Sequence, residues 1–139
     1  AASIQPQHAM DDRDVITRFW GIPAGVPYAF NALHEAGTKL LMGSDAPVAP
    51  LDPWLAISAA VFGTESSDRE PFQPEQSLDF EHALASSTAQ GRTDLRVGDN
   101  ADLVLLDRDP SIIDEPESMQ AMPEHIVGTM LSGRWTYQR

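Results

Sequence analysis

A short apolar run, Leu40-Leu41-Met42, stands directly behind a helical stretch and gives way to Gly43-Ser44-Asp45. A strand without polar alternation is expected to be covered on both faces, as in sheets whose parallel strands are flanked by helices. This segment constrains the fold more than any other. Ahead of it, Tyr28 to Ala36 places Ala29, Leu33 and Ala36 on one side of a helix, with Gly37 as its stop. Behind it, Asp52-Pro53 opens another helix, with Asp52 as N-cap and Pro53 at the first helical position. Leu55, Ala56, Ala59, Ala60 and Phe62 give that helix an apolar flank. Ala2 to Gln5 reads as the end of a buried strand halted by Pro6. Asp11, Asp12 and Asp14 then lead into a short helix carrying Val15, Ile16, Phe19 and Trp20, its negative end first. Gly21 to Pro27, with two Gly and two Pro, is a turn-rich loop. Strand, helix, strand, helix is α/β, and Gln5 to Leu40 is long enough for a crossover unit of about 30 residues.

The pattern then changes. Gly63 to Ser77 is polar and proline-bearing, a loop or lid, and Asp79 caps a helix over Phe80 to Ser86. Leu103 to Leu106 is a strand entered through Gly98-Asp99-Asn100. Ile126 to Leu131 and Arg134 to Tyr137 form two more, joined by Ser132-Gly133 as a hairpin loop. Asp107 to Pro123 reads as an acidic, proline-containing loop. The chain therefore divides into a βα part over residues 1–90 and a small β-rich part over residues 91–139.

Composition narrows the function classes. The formal charge of -12, from 21 acidic and 9 basic residues, repels phosphate backbones and argues against nucleic acid as a partner. No apolar run approaches the roughly 20 residues of a membrane span, so no membrane partner is expected. The chain has no Cys, which excludes disulfides and thiolate metal sites and fits a cytoplasmic location. The start, Ala1-Ala2-Ser3-Ile4-Gln5-Pro6, has no leader character and no initiator Met, so a beginning in mid-gene or after processing is expected.

Asp45 is the residue on which chemistry turns. It stands where a buried strand meets the loop Ala46-Pro47-Val48, and in a parallel barrel active sites are built at that C-terminal rim. A carboxylate there can bind a divalent metal through one oxygen and accept the proton of attacking water through the other. By pattern alone, an Asp after a strand also serves as a turn former or helix cap. His34 inside a helix, His82 in a first turn and His125 after Pro123-Glu124 show no metal-ligand spacing. Trp20, Trp54 and Trp135 are expected in a core or interface. Asp102 and Asp107 are expected as turn or edge residues, and Arg69 and Arg92 as solvated.

Leu41-Met42-Gly43-Ser44-Asp45-Ala46-Pro47-Val48, followed by Leu51-Asp52-Pro53-Trp54, resembles the last barrel strand and following helix of the amidohydrolase superfamily. More narrowly, it resembles the branch that includes N-substituted formamide deformylases. Ser3-Ile4-Gln5-Pro6-Gln7-His8 is similar to that branch's seventh strand. Leu78-Asp79-Phe80-Glu81-His82-Ala83-Leu84 is similar to its helix after the barrel, with Phe80 where Pro is usual. Val97 to Asp107 resembles the strand returning into a small β-sandwich, and Gly133-Arg134 the closing hairpin. The resemblance implies the C-terminal fragment of a (β/α)8 metal-dependent hydrolase barrel plus part of a β-sandwich. Residues 1–90 would hold the last two βα units and the helix after them. It implies hydrolysis of carbon–nitrogen bonds in small amide-type, non-peptide substrates, with Asp45 as metal ligand and general base. His8 would lie on the same rim and touch substrate or leaving group; the alternative is a hydrogen-bonded loop His.

The family's His-x-His pair and its middle-strand ligands have no counterpart here. One carboxylate cannot fix a zinc, which takes three protein ligands and an open position. The divalent metal, zinc by expectation, therefore belongs to the complete enzyme, with none required on this chain. Inactivity in isolation is expected, and the expected partner is the missing N-terminal part or another copy, because two parallel strands leave open edges. The competing reading is a non-catalytic binding module that retains an amidohydrolase-like tail.

Overall fold

The computed structural model describes residues 1–20 and 25–139. Residues 21–24 of the Gly21–Pro27 loop lie outside the described residues. Strands β1 (Ala2–Ile4) and β2 (Leu40–Met42) pair in parallel, with Ala2 opposite Leu40 and Ile4 opposite Met42. The Gly43 N–H extends the ladder by donating to the Ile4 carbonyl at 3.0 Å. Coverage of β2 on both faces does not hold. Side chains alternate along a strand; Leu40 enters the core, whereas Leu41 on the other face is 40% exposed. Among the described residues there is a two-stranded parallel sheet and no closed barrel.

β1 ends at Ile4, ahead of Pro6 as expected, but Pro6 also starts a helix. α1 spans Pro6–Phe19, with Pro6 in its first turn, where a missing N–H has no intrahelical partner to lose. Asp11, Asp12 and Asp14 consequently ride inside the helix rather than ahead of it. Ala9, Met10 and Ile16 form its buried side, while Val15, Phe19 and Trp20 are exposed. α2 (Phe30–Glu35) is followed by Gly37 at φ +75°. Tyr28, just before α2, donates its hydroxyl to Asp12 at 2.5 Å and ties the segment to α1. Burial and then the Asp12 carboxylate push its phenol up.

α3 (Pro53–Phe62) is capped as its sequence dictates: the Asp52 carboxylate accepts the Trp54 N–H at 2.9 Å. Gly63 closes it at φ +63°. Trp54, Ala56, Ile57, Ser58, Ala59 and Ala60 are all buried, so α3 is central rather than one-sided, and Leu55 and Phe62 are only half-buried. α4 (Phe80–Ser86) opens with Asp79 accepting the His82 N–H at 2.9 Å.

Strands β3 (Leu103–Leu106), β4 (Ile126–Leu131) and β5 (Arg134–Gln138) make an antiparallel sheet in the order β3-β4-β5. Ser132 and Gly133 both take positive φ, +49° and +75°, as a tight two-residue hairpin turn requires. The stretch from Asp107 to Pro123 is not a loop. It holds a turn of 3-10 helix at Pro110–Ile112, helix α5 (Pro116–Gln120) and another 3-10 turn at Met122–His125. Each has a proline at its first or second position, where proline begins helical structure instead of breaking it. Met119 and Met122 are 1% and 0% exposed and share one core with Ile4, Leu40, Trp54, Ile57 and Ile113. Ser58 donates to the Pro116 carbonyl at 3.2 Å, fastening α5 to α3.

A second fastening is pH-dependent. Glu117 accepts both the Ser67 hydroxyl and the Ser67 N–H at 2.7 Å. These bonds, the hydroxyl's first, hold its carboxyl down at about 2, against an ordinary 4.5. A carboxyl depressed on folding contributes stability above its unfolded pKa and loses it as pH falls through the folded one. Melting curves of Glu117→Gln and the parent are therefore expected to differ at pH 7 and to converge between about pH 4.5 and about pH 2. A gap that persists unchanged at the acid end would contradict this.

Candidate functional site

The site forms where the two parallel strands run out. Only Gln5 separates β1 from α1, so His8 is carried in the first turn of the helix. It is a helical residue, not the loop histidine of the alternative reading, and its N–H donates to the Gln5 carbonyl at 3.1 Å. From the end of β2 the chain passes through Gly43 and Ser44 to Asp45. Ser44 Oγ accepts the Ala46 N–H at 3.2 Å, and the Asp45 carbonyl accepts the Val48 N–H at 2.9 Å. These bonds fold the turn in which Asp45 adopts φ +55°. Asp tolerates this left-handed conformation better than most residues because its short side chain bonds locally.

The turn and the helix bring both candidates together. Asp45 Oδ2 stands 3.5 Å from His8 Nε2, with side-chain exposures of 63% and 22%. On the other flank of the ring, Asp11 Oδ2 lies 3.8 Å from His8 Nδ1. Asp11 Oδ1 accepts from Gln7 Nε2 at 3.5 Å. The imidazole thus faces a carboxylate on each side. Asp11 is a member of the cluster that sequence reasoning missed. Its signal is the spacing His8-x-x-Asp11, which shares a helix face only once Pro6 is taken as the helix start.

Two ligands, each roughly 2.0–2.1 Å from a tetrahedral zinc, stand about 3.3 Å apart. The 3.5 Å between Asp45 and His8 is compatible with two ligands of one ion. A catalytic zinc takes three protein ligands. Among the described residues, no group of three or more His, Cys, Asp or Glu side chains is placed to hold a metal. These residues fit part of a metal site and do not complete one.

The other singled-out side chains have local employment. Trp54 is buried in the core, while Trp20 and Trp135 are exposed. Arg69 pairs with Glu65 and Asp14, and Arg92 with Asp94 and Asp99. Asp102 accepts the Ser132 N–H at 2.6 Å, a turn role, and Asp107 pairs with His125 and Arg139. Among the described residues, no helix is long and apolar enough to cross a membrane.

Comparison with known proteins completes the description. The chain is 33% identical over 89 residues to the Protein LONG AFTER FAR-RED 3 of Arabidopsis thaliana. The match covers 63% of this chain and 15% of that protein, so the chain spans a small part of the relative's length. No solved structure matches. The model of the Amidohydrolase family, by contrast, matches residues 1–137, nearly end to end. The chain that sets Asp45 and His8 side by side past two parallel strands belongs to the amidohydrolase family.

Proposed function

We propose that this chain is the C-terminal part of a metal-dependent hydrolase that cleaves carbon–nitrogen bonds in small, non-peptide amides, with N-substituted formamides the favoured class. In this reading residues 1–90 close a (β/α)8 barrel and residues 91–139 complete its accessory sheet. The observation that carries it is the meeting of Asp45 and His8 beyond the C-terminal ends of β1 and β2, in a chain of the amidohydrolase family. Open, acidic and at the end of parallel strands, this is where barrel chemistry is placed.

Asp45 would help to hold the metal and would serve as the proton acceptor. A divalent metal, zinc by preference, makes water nucleophilic near neutral pH when bound. Asp45 would take the proton of the attacking water and return it to the departing nitrogen, so that the amine leaves neutral. His8, with its Nε2 toward Asp45 and its Nδ1 toward Asp11, is placed to contact the substrate or leaving group. The remaining ligands come from the rest of the enzyme, so the isolated chain is inactive.

The test uses the complete gene product, purified, assayed for bound metal and offered a panel of N-substituted formamides and other small amides. Hydrolysis that disappears on chelation and returns with zinc is the expected result. A metal-replete complete protein that cleaves none of them would sink the proposal. It would favour a binding role for the whole instead.

A further inference from the structure

Lys39 is the one lysine in the sequence, and it lies at the opposite end of β2 from Asp45. It helps to line a groove of about 270 Å³, together with His34, Thr38, His82, Ser86 and Gly91. That is close to the ~300 Å³ at which small-ligand pockets begin. The hydrolysis described above uses none of these residues. In a chain of formal charge -12, one lysine and two of the four histidines meet in a single depression.

Their arrangement points outward. Among the described residues, Lys39 has no carboxylate partner. Its side chain lies over Gly91: a Cβ added there would stand 3.0 Å from Cε and 3.3 Å from Nζ. The missing side chain at Gly91 thus leaves the ammonium its course along the wall. His82 faces Asp79 through Nδ1 at 2.6 Å; a neutral ring has one N–H, and this contact takes it up, so the ring forms part of the wall and supplies no further donor. The His34 ring stands 4.0 Å away between centroids, tilted by 53°. Negative charge is nearby but engaged or turned to solvent. Asp79 is held by the His82 ring and backbone, Glu35 accepts from Asn31 at 3.4 Å, and Glu81 is exposed.

We infer that this groove binds a small oxyanion of the phosphate type, held by the Lys39 ammonium, the Ser86 hydroxyl and a ring N–H of His34, with His82 as wall. The ammonium disfavours a metal cation between the rings, and several donors on different sides suit an acceptor with several charged oxygens.

The experiment is a titration of the complete gene product with inorganic phosphate at constant ionic strength, followed in ¹H–¹⁵N spectra, with chloride as control. Saturable shifts at Lys39, Ser86 and Gly91, with a Kd of roughly 1 mM, are expected. Lys39→Met should weaken binding at least about tenfold, since it removes a charge-assisted bond. Lys39→Arg should retain binding, and Asp45→Asn should leave it unaltered. Shifts equal to those with chloride, no saturation by about 10 mM, or unchanged affinity in Lys39→Met would overturn the inference.

Discussion

Under the proposed mechanism, replacing Asp45 by Asn in the complete protein is expected to lower kcat/KM by at least ~10³-fold, because the proposed metal ligand and the proposed proton acceptor are lost together. Asn keeps the size and shape of Asp and gives up only the charge and the basic oxygen. The fold should barely respond. The Asp45 side chain is largely exposed, and its near neighbour His8 is not hydrogen-bonded to it, so the stability change should stay within ~0.5 kcal/mol, as for ordinary surface substitutions. Metal content divides the two roles. Turnover lost together with the metal marks Asp45 as a ligand; turnover lost with the metal retained marks it as the proton acceptor. Turnover at the parent rate would remove Asp45 from the mechanism.

The largest effect on stability is expected at Met119. Its side chain is almost wholly enclosed, in a core that also contains Trp54 and Ile57 of α3. Met119→Ala removes buried methylenes and leaves a cavity, which costs about 2–5 kcal/mol. For a chain of this length that corresponds to a fall in Tm of roughly 7–17 °C. Because the core is shared, the two proposed parts, residues 1–90 and 91–139, should melt together in one displaced transition. Calorimetry checks this. Two separate transitions, with only one displaced, would show the parts to be energetically independent.

Met119 also marks the limit of what could be read beforehand. Local punctuation was legible: Asp52-Pro53 and Asp79 announce α3 and α4, and Ser132-Gly133 announces its hairpin, because caps and tight turns are set by neighbouring residues. Proline was the source of error. Pro6, Pro110 and Pro116 each suggest a break, yet each opens a turn of helix; Asp109-Pro110 repeats the Asp-Pro start of α3 and could have been read, whereas Gln5-Pro6 and Glu115-Pro116 have no side-chain cap. Burial of Met119 and Met122 depends on α3, some sixty residues earlier, which no local periodicity reveals. At the site, the apolar run before Gly43-Ser44-Asp45 sufficed to place Asp45 past a strand, whereas His8 was placed on the same rim only through the family resemblance of Ser3 to His8. Asp11 stayed hidden because the start of α1 was set too late. The pairing of His34 with His82 is tertiary and left no trace in their spacing.

The left-handed backbone at residue 45 acts as a filter on inheritance. Asn and Gly occupy that conformation as readily as Asp does, whereas longer or branched side chains meet steric cost. Drift at this codon therefore has two easy exits, each a single nucleotide away, and both discard the charge without disturbing the turn. If Asp45 has the role proposed for it, a lineage can lose its chemistry here and keep its shape, leaving descendants that still look like hydrolases.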